Sequence, residues 1–203
     1  MMYKVFDDVL PTSMQEHLEL TFKDPNMVWM WQDNTSGFQD WELAFIADNP
    51  EIKESPQFVH TVLDPTKQIT CYTWEMVKPI FYFLEKETGM QIKTIERVKS
   101  NLMMADGSDP TKVYNPPHID SPHDESLSMI YYLHDCDGAT RLFKNSLRQG
   151  MGNLEVETTV EPKRGRMFIF PSNRFHASSN PSSANPRRMI INFVFTPQNN
   201  PLW

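Results

Sequence analysis

From Gln91 onward the chain is a series of short β-rich runs divided by turn-forming peptides, and this feature limits its possible folds more than any other. The runs are IKTIERVKSNLMM (92–104), LSMIYYL (127–133), TRLFKN (140–145), LEVETTVEP (154–162), RMFIFP (166–171) and RMIINFVF (188–195). Their β-branched and aromatic side chains suit a pleated, half-buried surface. The peptides between them include ADGSDP, HDCDG, RQGMGN, PKRGR and SNPSSANP, rich in the Gly, Pro, Asp and Asn that reverse a chain. Regular strands with such punctuation predict antiparallel sheets packed as a jelly roll or barrel. No internal repeat is visible, and the SSNPSSANP stretch is too short to link two domains.

Before Gln91 the pattern is mixed. YKVFDDVL (3–10) predicts a short strand, and PTSMQEHLELTF a helix. There Ser13 and Glu16 have capping-box spacing, and Met14, Leu18 and Phe22 share a face. DPN (24–26) should end that helix, VWMWQ (28–32) is β-prone, and NTSG (34–37) is a loop composition. Trp29 and Trp31 are expected in the core rather than in a pocket. Residues 38–69 resist division, because Pro50, Pro56 and Pro65 interrupt any long element. A helix is predicted from about Thr70 to Glu87, with Trp74, Val77, Ile80, Phe81 and Leu84 on one face and Gly89 as C-cap. Pro79 either kinks that helix or starts it. The expected class is mainly β with supporting α-helices. A single domain over 1–203 would place helical support over about 1–90 and a jelly-roll core over about 91–197.

Formal charge of −7 at pH 7 argues against a broad nucleic-acid footprint, which needs clustered Lys and Arg. Cys71 and Cys136 make neither a disulfide framework nor a CxxC metal knuckle. Two reduced thiols, no apolar run of membrane-spanning length and no signal-peptide order at MMYKVFDD together predict a soluble cytoplasmic protein without membrane association.

The chemistry concentrates at two places. In YNPPHID (114–120), His118 and Asp120 are one residue apart, so on extended backbone both side chains face the same way. Pro116 and Pro117 stiffen the approach. FPSNRFHAS (170–178) adds a second imidazole, His176. Two imidazoles and a carboxylate without thiolate suit non-haem Fe(II), with catalytic zinc as competitor; spacing alone does not separate them. If strand 188–195 alternates, Arg188, Ile190, Asn192 and Val194 share a face. Arg188 then points inward, where its guanidinium requires a carboxylate or phosphate, such as one end of a dicarboxylate bound to the metal. The opposite phase turns Arg187 inward instead, and a third reading leaves both arginines in solvent after the NP turn.

Taken together, HID, IYYL, GATRLF, VEPKRGRMFIFP, FHAS and RRMIINF resemble the 2-oxoglutarate- and Fe(II)-dependent dioxygenases, in particular their prolyl-4-hydroxylase-like branch. The resemblance covers about Arg97 to Phe195, with a fainter echo in YKVFDDVLPTSMQEHL. It implies a double-stranded β-helix (a cupin-like jelly roll) in which His118, Asp120 and His176 bind iron and Arg188 holds the far carboxylate of 2-oxoglutarate. Tyr132, the second tyrosine of IYYL, matches a family tyrosine that hydrogen-bonds the same carboxylate. The family often has Ser two residues after the arginine; Ile190 stands here, so that hydrogen bond is missing from the expected set. The implied reaction consumes 2-oxoglutarate and O2, releases succinate and CO2, and hydroxylates a substrate. That substrate would be a prolyl or other amino-acid side chain in a peptide, or a small metabolite. A nucleobase-demethylating dioxygenase and a non-catalytic jelly-roll binding module are the alternatives.

Other candidates are weaker. His123, Asp124, His134 and Asp135 fall in turn compositions, with a gating role open to the first two. His17 and His60 are expected to be ordinary surface or core histidines, Tyr114 is divided between substrate contact and packing, and Asn101 is a candidate cosubstrate contact.

Overall fold

The computed structural model describes residues 2–35 and 49–202; residues 36–37 of the NTSG loop and 38–48 of the undivided stretch lie outside them. Along the chain come β1 (Lys4–Phe6), α1 (Thr12–Lys23), β2 (Met30–Gln32), β3 (Gln57–Asp64), β4 (Ile69–Thr70), α2 (Trp74–Val77) and α3 (Pro79–Thr88). Then follow β5 (Ile92–Met104), β6 (Leu127–Tyr132), β7 (Thr140–Ser146), β8 (Val156–Val160), β9 (Met167–Pro171), β10 (Arg174–Ser178) and β11 (Arg187–Pro197). Among the described residues, an eight-stranded sheet runs β1-β9-β6-β11-β5-β3-β2 with β4 on β3, and a three-stranded sheet runs β10-β7-β8. The pairings are antiparallel, as in a jelly roll.

Strand alternation divides the large sheet between two environments. Leu127, Met129 and Tyr131 of β6, Met167 and Ile169 of β9, and Met189, Ile191, Phe193 and Phe195 of β11 meet Leu18, Phe22, Ile80, Phe81 and Leu84 of the helices. Phe81 stands edge-on to Phe193 and Phe195, at centroid distances of 5.2 and 5.5 Å. The intervening Ile130, Tyr132, Phe168, Phe170 and Ile190 pack instead with Leu142 and Val160 of the small sheet. Both faces of β6 and β9 are therefore covered, which explains why their sequences are nearly continuous apolar runs. Each large side chain so buried contributes about 1.5–3 kcal/mol.

Several N-terminal expectations are corrected. The predicted capping box at Ser13 does not form: α1 begins at Thr12 after Pro11, with no side-chain cap, and the amides of Met14 and Gln15 bond to the Pro11 carbonyl. Gln15 turns inward, where its Nε2 donates to the Leu10 carbonyl at 2.8 Å. Trp29 packs on the core as expected, whereas Trp31 is 57% exposed on the edge strand β2. The helix expected over 70–87 is divided. Thr70 belongs to β4, and Pro79 opens α3, which ends at Gly89 with φ 72°. A residue in that left-handed conformation is best supplied by glycine. The region assigned to helical support also contributes β1 to β4, three of them in line across the large sheet and β4 beside β3.

Candidate active site

The segment holding YNPPHID lies against β10. Asn115 donates both its backbone N–H and its side-chain amide to the Ser178 carbonyl (2.8 and 2.9 Å), and the amide also reaches Asn180 Oδ1. Immediately after the prolines, His118 exchanges backbone hydrogen bonds of 3.0 and 2.9 Å with His176 in an isolated antiparallel bridge. Facing residues of such a pair project on the same side, and the two imidazoles lie 4.4 Å apart. The Asp120 amide then donates to the Ser172 carbonyl. His118, Asp120 and His176 each offer one ligand atom within 4.8 Å of the others, a cluster found by searching the described residues.

The side chains are oriented from behind. His118 Nδ1 lies 3.3 Å from the Pro116 carbonyl and His176 Nδ1 3.2 Å from the Arg174 carbonyl. A carbonyl only accepts, so each Nδ1 carries the proton and each Nε2 keeps its lone pair. Burial lowers both imidazole pKa values, that of His118 to about 3 with His176 adding to the effect, so both are neutral at pH 7. Asp120 Oδ1 accepts from Arg97 and Asn192 (3.1 and 2.9 Å), and Oδ2 from Ser128 (2.7 Å). Burial alone would raise this carboxyl, but neighbouring His176, Arg97 and His118 outweigh it and hold it below the usual carboxylate range. The result is two neutral nitrogen donors and one anionic oxygen donor in one buried place.

Arg188 faces the same cavity, a space of about 420 Å³ counted with its mouth open to solvent and lined also by His118, His176, Ile190 and Asn192. The side chain is 3% exposed, while Arg187 lies at the surface, so β11 adopts the inward phase for Arg188. Its Nε donates to the Gly138 carbonyl at 2.7 Å and its Nη2 to Thr140 Oγ1 at 2.8 Å. Among the described residues no carboxylate pairs with it. A buried cation without a counter-ion is unfavourable unless a ligand brings one. Gly138 permits the approach: a Cβ there would lie 2.6 Å from the Ser179 carbonyl oxygen and 3.0 Å from Arg188 Cδ.

Tyr132 sits one step behind its expected position. Its hydroxyl donates to Thr140 Oγ1 at 2.7 Å, its ring lies 5.8 Å from the Arg188 guanidinium, and it does not line the cavity. Burial, partly offset by Arg188, raises its pKa to about 12, so the phenol remains a donor. Thr140 therefore occupies the cavity-facing place and was not singled out from the sequence, although it lies in GATRLF. Lys99 and Gln57 also line the cavity without having been identified, and Asn101, the candidate cosubstrate contact, lines it as well. The only sequence sign of Lys99 was its place two residues before Asn101.

The remaining candidates lie elsewhere. His60 is a core residue bonded to the Val28 carbonyl and to Thr73 Oγ1, both at 2.9 Å, and His17 is exposed. Tyr114 packs against Phe143 and under the Arg141 guanidinium, outside the cavity lining. His123 and Asp124 are exposed turn residues, Asp124 pairing with Arg148. His134 receives the Met189 amide at 3.2 Å. No helix among the described residues is long and apolar enough to cross a membrane.

Comparisons with known proteins agree with this chemistry. The model of the 2OG-Fe(II) oxygenase superfamily matches residues 109–196, the stretch that contains the histidine–aspartate cluster, Thr140 and Arg188. A search of curated proteins finds no match. Among solved structures, a Pseudomonas putida prolyl-4-hydroxylase is similar at TM-score 0.54 and 14% identity, covering 96% of this chain and 92% of that one. AviO1 from Streptomyces viridochromogenes Tue57 is similar at TM-score 0.61 and 10% identity, covering 98% and 91%. The non-heme alpha-ketoglutarate-dependent epimerase SnoN from nogalamycin biosynthesis reaches TM-score 0.60 at 12% identity, covering 96% and 78%. These likenesses are of fold.

Proposed function

We propose that this chain, whose residues 109–196 match the model of the 2OG-Fe(II) oxygenase superfamily, hydroxylates an amino-acid side chain or a small metabolite. It is a dioxygenase that uses Fe(II), 2-oxoglutarate and O2. In our reading His118, Asp120 and His176 hold the iron, and Arg188 with Thr140 holds the distal carboxylate of 2-oxoglutarate. When bound, iron with 2-oxoglutarate and O2 supplies the oxidising power, yielding succinate, CO2 and a hydroxylated product.

The observation that carries the reading is a pairing of opposites. Two neutral imidazoles, with the Asp120 carboxylate within 4.8 Å of their ligand atoms, line one cavity together with a buried guanidinium that has no carboxylate partner among the described residues. The donor set suits non-haem iron. The planar fork of Arg188 suits a carboxylate. Asp120 supplies a fixed negative charge, kept in place by Arg97, Asn192 and Ser128. Tyr132 supports the far end through Thr140, and the apolar Ile130 and Ile190 limit water in the cavity. Similarity of fold to a prolyl-4-hydroxylase and to an epimerase of nogalamycin biosynthesis suits either substrate class.

The test is succinate release dependent on 2-oxoglutarate, together with the anaerobic visible spectrum on adding Fe(II) and 2-oxoglutarate. A metal-to-ligand charge-transfer band is expected in the native protein and a loss of turnover in His176→Ala and Arg188→Ala. Unchanged turnover in both variants would remove the site assignment.

A further inference from the structure

The cavity wall built by β5 and β3 carries polar groups that the proposed metal and cosubstrate do not use. Lys99 lines the cavity, half-buried, on β5 opposite Asn192 of β11. Asn192 is the residue whose amide holds Asp120, so Lys99 stands at the metal end of the cavity rather than beside Arg188. Among the described residues no carboxylate is within ion-pair distance of Lys99. Asp120 is answered by Arg97 at 3.1 Å. In the reading above, the carboxylates of 2-oxoglutarate are answered by Arg188 and by the metal. Lys99 is the cation left over.

Asn101 lies two residues along the same strand face and is 8% exposed. The orientation of its amide follows from its neighbours. Gln57 Nε2 donates to the carbonyls of Asn34 and Thr35 at 3.2 and 3.4 Å, and a carbonyl can only accept. Gln57 Oε1 must then be the acceptor that receives Asn101 Nδ2 at 2.6 Å. This leaves Asn101 Oδ1 buried in the cavity wall without a donor. Among the described residues, the wall therefore offers a cation that lacks an anion and, on the same face, an acceptor that lacks an N–H or O–H.

We infer that Lys99 and Asn101 form the substrate-recognition subsite, and that the substrate is a small anion whose carboxylate or phosphate stands beside an N–H or O–H donor. The head of an amino acid or hydroxy acid is the simplest example. Lys99 takes the anionic group and Asn101 Oδ1 the neighbouring donor, so the pair sets which end of the substrate enters. This inference deepens the oxygenase reading and rests on it.

The experiment compares native protein, Lys99→Met, Lys99→Gln and Arg188→Met, each loaded anaerobically with Fe(II) and titrated with 2-oxoglutarate by its charge-transfer band. The loaded proteins are then titrated calorimetrically with amino-acid carboxylates, their carboxamides, small phosphate monoesters and the parent alcohols. Both Lys99 variants should keep 2-oxoglutarate affinity within about threefold, which also shows that they fold, while Arg188→Met loses it. Native protein should bind members of the carboxylate or phosphate arm at least tenfold more tightly than their neutral counterparts, and the Lys99 variants should lose that preference. Absence of the band in native protein overturns the oxygenase reading and the subsite with it. With the band present, three results overturn the subsite alone. One is a loss of 2-oxoglutarate in the Lys99 variants as large as in Arg188→Met. The others are neutral ligands bound as well as charged ones, and no anion bound by either arm.

Discussion

Arg188 Nη2 donates to Thr140 Oγ1 at 2.8 Å, and this hydrogen bond joins β11 of the large sheet to β7 of the small one. The same hydroxyl receives the Tyr132 phenol, so two side chains from two other strands brace one guanidinium whose charge no carboxylate among the described residues answers. A site prepared in this way is less comfortable empty than filled, and its variants should separate stability from binding.

Replacing Arg188 with Met removes a buried cation and keeps its volume. Substitution of buried charge by an apolar group is often neutral or stabilising. Arg188→Met should therefore hold or raise the melting temperature of the metal-free protein. It should weaken 2-oxoglutarate binding by about 30-fold or more, as expected when one partner of a buried charged pair is truncated. Calorimetry and charge-transfer titration check the two halves, and a variant that melts lower yet binds normally would contradict both.

Gly138→Ala tests the approach of Arg188 to the backbone. The added Cβ would meet the Ser179 carbonyl oxygen at 2.6 Å and Arg188 Cδ at 3.0 Å, and one of these is backbone that cannot swing aside. Overpacking of this kind costs about 1–3 kcal/mol. A lower urea midpoint, accompanied by weaker 2-oxoglutarate binding, is the expected result. Unchanged values for both would show that the loop gives way.

Ser128→Ala removes the hydroxyl that donates to Asp120 Oδ2 at 2.7 Å. Loss of such a support behind a metal ligand commonly lowers affinity about 10- to 100-fold. Competition with a chromophoric chelator should show weaker Fe(II) binding, with far-ultraviolet dichroism unchanged. Equal affinity would assign the orientation of Asp120 to Arg97 and Asn192 alone.

Lys99 gives a pH signature. Burial and neighbouring Arg97 lower its pKa to about 8, whereas in an unfolded chain a lysine titrates near 10.4. Between those values the unfolded chain binds more protons than the folded one, so this group makes folding more favourable as pH rises. Lys99→Met, having no such group, should exceed native protein in stability most at pH 7, with the gap closing as pH rises through 8 toward 10. Urea unfolding at several pH values measures the gap, and a constant one would mean that Lys99 is not desolvated.

The strands after Gln91, β10 (RFHAS) excepted, were legible because most are buried on both faces and so carry dense apolar runs with turns between them. β3 was not, although it joins β5 to β2. Its QFVHTVLD places the polar Gln57 beside the cavity and His60 in the core, which breaks the alternation that marks a strand. Pro11 capped α1 by backbone geometry alone, so the Ser13–Glu16 pattern pointed to the wrong residue. At the site, His118, Asp120, His176 and Arg188 could be picked out because ionisable side chains at suggestive spacing are conspicuous. Thr140, Gln57 and Lys99 could not, since a hydroxyl, an amide and a lysine are common everywhere. Only the register of β11 on β5 and the packing of the two sheets give them a shared cavity.

The bridge between His118 and His176 has a consequence for how the site can vary. Two reciprocal peptide bonds set the spacing of the imidazoles, so these rings must travel together whenever the segment shifts. Asp120 hangs from a different set of anchors on β5, β6 and β11. The spacing of the imidazoles and the orientation of the carboxylate thus rest on separate supports, coupled through the single residue Ile119 that links His118 to Asp120, so drift in either set of supports acts first on its own half of the cluster.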